Sequence, residues 1–84
     1  MTWTVELNAH AERDLVKLPD PLLKRITEKL ALLKSDPFLR QSRKLKGHTG
    51  YRLRIGDYRV LYEVDQKARK VIIYAVGHRK EVYR

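Results

Sequence analysis

Twelve residues in the second half of the chain indicate the fold class: Tyr51-Arg-Leu-Arg-Ile-Gly-Asp-Tyr-Arg-Val-Leu-Tyr62. On both sides of Gly56-Asp57, apolar and aromatic residues alternate with mostly polar ones, which is the period of a half-buried β-strand. Two such runs separated by Gly-Asp predict a β-hairpin whose turn is type II′, with Gly56 at the first central position.

The register of this predicted hairpin gathers arginines on one face. With Gly56 and Asp57 as the turn, Arg54 pairs with Arg59, and Arg52 lies about 7 Å further along the same strand. Like charges directly opposite one another weaken a sheet by up to about 1 kcal/mol. Guanidinium groups, however, bind phosphate through bidentate forks. We therefore interpret the arginines as a phosphodiester-binding surface, in preference to an exposed basic face whose arginine stems cover apolar atoms.

The first half of the chain predicts one strand and two helices. Trp3, Val5 and Leu7 alternate with polar residues, and Asn8 stands at the N-cap of the helix that follows. The apolar stripes of the two helices are Ala11, Leu15 and Leu18, then Leu22, Ile26, Leu30 and Leu33. Pro19-Asp20-Pro21 between the stripes predicts a short turn and hence an αα-hairpin.

The remaining segments complete a small α+β fold. Residues 38–50 predict a basic loop with a little strand at Lys44–Lys46, and Val71–Val76, apolar on both faces, predicts a central strand that Gly77 ends. His78–Arg84 predicts a tail of about one helical turn. We expect a single domain over residues 1–84 in the order βααβββ(β), with the αα-hairpin packed on one face of a small antiparallel sheet.

The net charge of +9 lies entirely in the second half of the chain. Residues 1–39 carry six basic and six acidic side chains, whereas residues 40–84 carry 13 basic and four acidic ones. This asymmetry is typical of a surface that binds a polyanion, although a basic solubility surface is the alternative. The sequence has no cysteine and no apolar run near the roughly 20 residues of a bilayer span. These features predict a cytoplasmic protein without a membrane segment.

Further candidate residues flank the hairpin. Lys46 in the basic loop, with Arg52 and His78, would extend the phosphate-binding surface along an RNA strand. If the tail is helical, Arg79 and Tyr83 point the same way, and an exposed tyrosine beside an arginine suits stacking on a base. The three histidines are scattered without metal-ligand spacing, so we expect neither a metal nor a cofactor.

The hairpin, together with Val76-Gly-His-Arg-Lys-Glu-Val-Tyr83, resembles the RelE branch of the RelE/ParE toxin superfamily, and the resemblance covers nearly the whole chain. It implies a RelE-like fold, related to that of microbial ribonucleases. It also implies the toxin of a type II toxin–antitoxin pair, a metal-independent endoribonuclease that cleaves mRNA in the ribosomal A site and inhibits translation. The implied partners are the ribosome, mRNA and a cognate antitoxin whose acidic or amphipathic segment covers the basic face.

The resemblance also implies residue roles. Arg59 and Arg79 match the arginines that stabilise the scissile phosphate, and Tyr83 matches the tyrosine that orients the substrate nucleotide. Arg52 and Arg54 stand where RelE has two lysines with acid–base roles. Because guanidinium stays protonated in proteins, these arginines fit phosphate binding and charge stabilisation rather than proton transfer. The catalytic set is therefore Arg54, Arg59, Arg79 and Tyr83, and the general acid and base stay open between His78, Tyr83 and the ribosome.

Two other functions fit the sequence. A ParE-like toxin on the same fold would poison gyrase through protein contacts instead of cutting RNA, although Arg79 and Tyr83 favour the nuclease. A non-catalytic RNA-binding module would bind RNA with a steep salt dependence and show no cleavage.

Overall fold

The computed structural model describes residues 2–45 and 50–78. In chain order the elements of this part are β1 (Thr4–Leu7), α1 (Ala9–Val16), α2 (Asp20–Leu32), β2 (Ser42–Lys44), β3 (Tyr51–Ile55), β4 (Tyr58–Asp65) and β5 (Lys70–His78). The predicted α+β class and the order of elements are confirmed. No helix among the described residues is long and apolar enough to cross a bilayer.

The five strands form one sheet in the order β1-β5-β4-β3-β2. The neighbouring pairs are antiparallel except for β1, which runs parallel to β5. This pairing is a difference from the expected antiparallel sheet. It aligns Val5 with Val71 and Leu7 with Ile73, so that the apolar side of β1 continues that of the central strand.

The two helices cover one face of the sheet. Their buried side chains are Ala11 on α1 with Ile26 and Leu30 on α2, followed by Leu33. They pack against residues that alternate along β3 and β4, namely Leu53, Ile55, Val60 and Tyr62, and against Val71, Ile73 and Val76 of β5. The alternation on β5 is broken between Ile73 and Val76, where the pairing with β4 shifts register. Since successive strand residues point to opposite faces, the residues between these positions lie on the face away from the helices.

Helix α1 covers the edge of β5 beyond the end of β1. The Asn8 side chain accepts a hydrogen bond from the Ala11 backbone N–H at 2.9 Å and so caps the helix as predicted. One turn on, the Asp14 carboxylate accepts from the Val76 N–H at 2.9 Å, and His10 Nδ1 lies 3.2 Å from the Tyr74 carbonyl. These side chains satisfy backbone groups that a neighbouring strand would otherwise pair.

The β3–β4 hairpin has the predicted register, with Ile55 opposite Tyr58 and Arg54 opposite Arg59. Gly56 has a φ of +62° and Asp57 has no positive φ, in agreement with a type II′ turn. The last strand differs from the prediction. Gly77 does not end β5, because Gly77 still pairs with Arg59 and His78 pairs with Tyr58. Tyr58 is the first residue of β4, so the pairing continues over the whole of that strand.

One smaller prediction needs correction, and another concerns residues that the structure does not describe. The little strand in the basic loop is Ser42–Lys44, two residues earlier than expected, because its partner β3 begins at Tyr51 and pairs that residue with Lys44. The helical turn predicted for the tail falls on residues 79–84, which lie outside the described residues.

Tyr62 joins the sheet to the segment after α2. It is fully buried, its hydroxyl donates a 2.7 Å hydrogen bond to the Pro37 carbonyl, and its ring stacks on Tyr51 at a centroid distance of 5.7 Å. Burial raises the pKa of the Tyr62 hydroxyl above its ordinary value of 10.0.

This raised pKa predicts a loss of stability in alkaline solution. The native state holds the phenol proton more tightly than the unfolded chain, so stability is complete below about pH 10 and falls as the pH rises toward the native pKa. We expect the free energy of unfolding, measured with urea from about pH 8 to about pH 11, to fall more steeply for the wild type than for Tyr62→Phe. Equal slopes would contradict the assignment.

Candidate nucleic-acid interface

The sheet face away from the helices carries the arginines predicted from the hairpin. Arg52, Arg54 and Arg59 alternate with core residues on β3 and β4, and Arg43 of β2 lies opposite Arg52; we call the surface formed by these four residues the arginine face. One row across the sheet runs Arg43–Arg52–Leu61–Ala75, and the next runs Arg54–Arg59–Gly77. Directly opposite residues in neighbouring strands have Cβ atoms roughly 5 Å apart, so adjacent guanidinium groups can converge on one phosphate.

Arg59 is the central residue of the arginine face. It is only 6% exposed, which is exceptional for a charged side chain. Its Nη1 donates to the carbonyls of Gly56 and Tyr58, at 3.3 and 3.1 Å. Those bonds fix the guanidinium beside the turn but supply no negative charge. A buried cation held in this way is stabilised when an anion is added.

Among residues 2–45 and 50–78, no arginine lies within 4 Å of a carboxylate that also belongs to these residues, since the two acid–base contacts found there join His10 to Asp14 and Lys70 to Glu6. On the arginine face the acidic side chain of β4, Glu63, stands four residues from Arg59, roughly 14 Å along the strand. At physiological ionic strength charges are screened over about 8 Å. The positive charge near the hairpin turn is therefore not neutralised by this carboxylate.

Arg52 gives a second sign of a missing acceptor. Its side chain is half-buried, and its Nε atom is buried without a hydrogen-bond partner. Leaving such a donor unpaired costs about 1–3 kcal/mol. A phosphate oxygen would reach this N–H only if the Arg52 side chain moved, because the Nε atom is closed to solvent.

The other candidate residues have different positions. His78 lies on the helix-covered side of the sheet, where its ring meets Tyr58 edge to face at 5.7 Å. This differs from its expected place in the RNA-binding set, and the reason is the register of β5, which pairs His78 with Tyr58 instead of with Arg59. Lys46, Arg79 and Tyr83 lie outside the described residues, so the structure brings together Arg52, Arg54 and Arg59 only.

One arginine near this site was not singled out from the sequence. Arg25 on α2 places its guanidinium against the hairpin turn, with Nη1, Nη2 and Cζ at 3.4, 3.6 and 3.7 Å from the point where a Gly56 side chain would begin. In the sequence Arg25 is an ordinary exposed helix residue. Only the packing of α2 on the sheet brings it to the turn, and no local pattern signals this.

The described residues contain no group of three or more His, Asp or Glu side chains arranged to hold a metal ion. What the arginine face offers chemically is fixed positive charge and N–H donors. Such groups bind phosphodiesters and stabilise negative charge that develops on phosphorus.

Comparison with known proteins gives consistent matches. A family model described as the ParE toxin of type II toxin–antitoxin system, parDE, matches residues 5–83. Toxin RelG of Mycobacterium tuberculosis is 36% identical over 87 residues, which cover 100% of this chain and 99% of that protein.

Solved structures show the same similarity. The RelBE2 toxin–antitoxin complex of Mycobacterium tuberculosis matches with a TM-score of 0.84 at 33% identity, over 93% of this chain and 99% of that chain. The archaeal RelE–RelB complex of Pyrococcus horikoshii matches with a TM-score of 0.84 at 31% identity, over 98% and 100% of the two chains. The resemblance found in the sequence is confirmed over nearly the whole chain.

Proposed function

The chain belongs to the RelE/ParE superfamily as a RelE-family toxin of a type II toxin–antitoxin system, and on this premise we propose that it is a ribosome-dependent endoribonuclease that cleaves mRNA in the A site. The observation that carries the proposal is Arg59, a nearly buried guanidinium beside Arg54 with no carboxylate partner among the described residues. A phosphodiester supplies the missing negative charge. The site of action is the cytoplasm, where mRNA is translated.

In the proposed reaction the ribose 2′-oxygen attacks the neighbouring phosphorus. The 2′-OH loses its proton, the P–O5′ bond breaks, and the 5′-oxygen of the leaving strand takes up a proton, which leaves a 2′,3′-cyclic phosphate and a 5′-OH. The phosphorane formed on the way carries extra negative charge. Arg54 and Arg59, joined by Arg79, stabilise it electrostatically, and no step requires a metal ion.

Proton transfer is assigned to groups other than the arginines. Guanidinium does not deprotonate in proteins, so Arg52 and Arg54 bind phosphate and stabilise charge without acting as base or acid. His78 packs on Tyr58 across the sheet from the arginine face, which does not favour it as the proton carrier. We therefore assign this step to Tyr83 or to a ribosomal group, with Tyr83 also orienting the substrate nucleotide.

A cognate antitoxin is the proposed protein partner. The matched structures from Mycobacterium tuberculosis and Pyrococcus horikoshii are toxin–antitoxin complexes. An acidic or amphipathic antitoxin segment that covers the arginine face would compete with phosphate for Arg54 and Arg59. Complex formation would then block RNA binding.

Mapping of mRNA 5′ ends after induction without antitoxin tests this proposal. We expect discrete cuts within translated reading frames and, with purified ribosomes, products that end in a 2′,3′-cyclic phosphate. A DNA-damage response without cuts would instead identify a gyrase poison, the alternative favoured by the match to a ParE toxin model. RNA binding without cleavage or growth inhibition would identify a non-catalytic module. Either this result or the DNA-damage response without cuts would show that the proposed nuclease activity is wrong.

A further inference from the structure

We infer that Arg25 on α2 is a further RNA-binding residue, which holds a phosphodiester next to the one bound by Arg54 and Arg59 and so extends the arginine face around the hairpin tip. This inference rests on the proposed function, because it takes RNA as the ligand of the arginine face. It adds a residue from a different element, which reaches the site from the opposite side of the sheet.

The first step is the position of the Arg25 guanidinium. Nη1, Nη2 and Cζ lie 3.4, 3.6 and 3.7 Å from the Cβ position of Gly56, so the terminal nitrogens of Arg25 contact the hairpin turn. A guanidinium carries five N–H donors, and because Arg25 is exposed, those that do not face the turn can reach a ligand. A Cβ at position 56 would make only van der Waals contact with Arg25, and it is the φ of +62° that favours glycine there.

The second step is that Arg59 contacts the same residue. Its Nη1 donates to the Gly56 carbonyl at 3.3 Å. Guanidinium groups from α2 and from β4 therefore flank one glycine. Two positive groups at one turn raise the local positive potential, which an anion bound at the hairpin tip would offset.

The third step is the absence of an internal counter-ion. Glu28 stands three residues along α2, a spacing at which helix side chains often pair, and Asp57 stands next to Gly56 in the turn. Within the part of the chain that the structure describes, neither carboxylate forms an ion pair with Arg25. Arg25 is also exposed, so an incoming strand can reach it.

The ligand chemistry follows from this arrangement. A single-stranded RNA backbone presents consecutive phosphates, and a strand that passes over the hairpin tip would meet Arg54 and Arg59 first and Arg25 next. The phosphate at Arg25 belongs either to the mRNA flanking the cut or to ribosomal RNA. The chemistry is the same in both cases, and the experiment separates the two sources.

The test compares Arg25→Gln with Arg13→Gln, a matched loss of one exposed helix arginine on α1. Binding of a short, uncleavable single-stranded RNA is measured over a range of salt concentrations, first to the protein alone and then with ribosomes. Loss of one phosphate contact lowers the slope of log K against log salt by about 0.7. We expect this loss in Arg25→Gln and an unchanged slope in Arg13→Gln.

The arms of the experiment identify the phosphate and the role. A lower slope with free RNA places the mRNA at Arg25, whereas a lower slope only with ribosomes places ribosomal RNA there. In ribosome-dependent cleavage we expect Arg25→Gln to raise KM with little change in kcat, the sign of lost binding shared by ground and transition states. Arg25→Lys, which keeps the charge, should restore the slope.

Two results overturn the inference. An unchanged slope in both arms would show that Arg25 contacts no phosphate, and a lower melting temperature with an unchanged slope would show that it only packs on the turn. These failures differ from failure of the proposed function. If the wild type cleaves no mRNA but Arg25→Gln still lowers the salt slope of RNA binding, the proposed nuclease activity is wrong and the inferred contact of Arg25 with a phosphate is supported.

Discussion

Replacing Arg59 with alanine is expected to lower the rate of mRNA cleavage by roughly 10² to 10³, the usual effect of removing one preorganised charge-stabilising group. Growth inhibition after induction without antitoxin should disappear with it. The physical reason is that Arg59 is the buried guanidinium of the arginine face, held beside Arg54 and aimed by the Gly56 and Tyr58 carbonyls. The measurements are end mapping of mRNA and cleavage rates with purified ribosomes.

The fold should survive this substitution. The side chain of Arg59 donates to backbone carbonyls at the hairpin turn and pairs with no carboxylate among the described residues, so its removal takes away a buried cation without stranding a partner charge. Arg13→Ala removes one positive charge from an exposed helix position and serves as the control. If folded Arg59→Ala inhibited growth as strongly as the wild type, the proposed role of the arginine face would be wrong.

Replacing Tyr62 with alanine is expected to lower the free energy of unfolding by about 3–5 kcal/mol, as for other large aromatic side chains in protein cores. Small domains have only about 5–15 kcal/mol in total, so the variant is expected to be close to unfolding. Tyr62 is fully buried and bonded to Pro37, and it lies on the same strand as Arg59. Activity should therefore fall because the folded state is lost, even though Tyr62 points away from the arginine face.

Tyr62→Phe separates the ring from the hydroxyl. It keeps the packing but leaves the Pro37 carbonyl without its 2.7 Å hydrogen bond, which is expected to cost about 1–3 kcal/mol. Urea unfolding of the three proteins measures both effects. Equal destabilisation by alanine and phenylalanine would show that the hydroxyl, and not the buried ring, supplies the stability.

The hairpin and the arginine face could be predicted from the sequence because both are local. A two-residue turn fixes the register, and the register fixes which side chains share a face. The observed pairing of Arg54 with Arg59 and of Arg52 with Leu61 follows from that rule alone. The apolar stripes of the helices could also be predicted from the sequence, since Ile26, Leu30 and Leu33 recur at helical spacing, and all three are buried.

The features that escaped prediction depend on contacts between distant segments. The parallel pairing of β1 with β5 joins residues more than 60 positions apart, and no local pattern reports its direction. The position of His78 depends on how far β4 continues to pair with β5. Arg25 reaches the hairpin turn only through the packing of a helix on the sheet.

The unbalanced charge of the arginine face also affects how long the protein survives. Mutual repulsion of cations that have no carboxylate partner within residues 2–45 and 50–78 destabilises the free molecule. Any polyanion that binds only the folded form stabilises it by mass action, by about 2.7 kcal/mol when the ligand is at 100 times its dissociation constant. The unbound toxin is then the form that opens most often to proteases. We expect its lifetime in the cell to depend on what occupies this face, so the proposed antitoxin and RNA would be stabilising ligands besides their proposed roles as inhibitor and substrate.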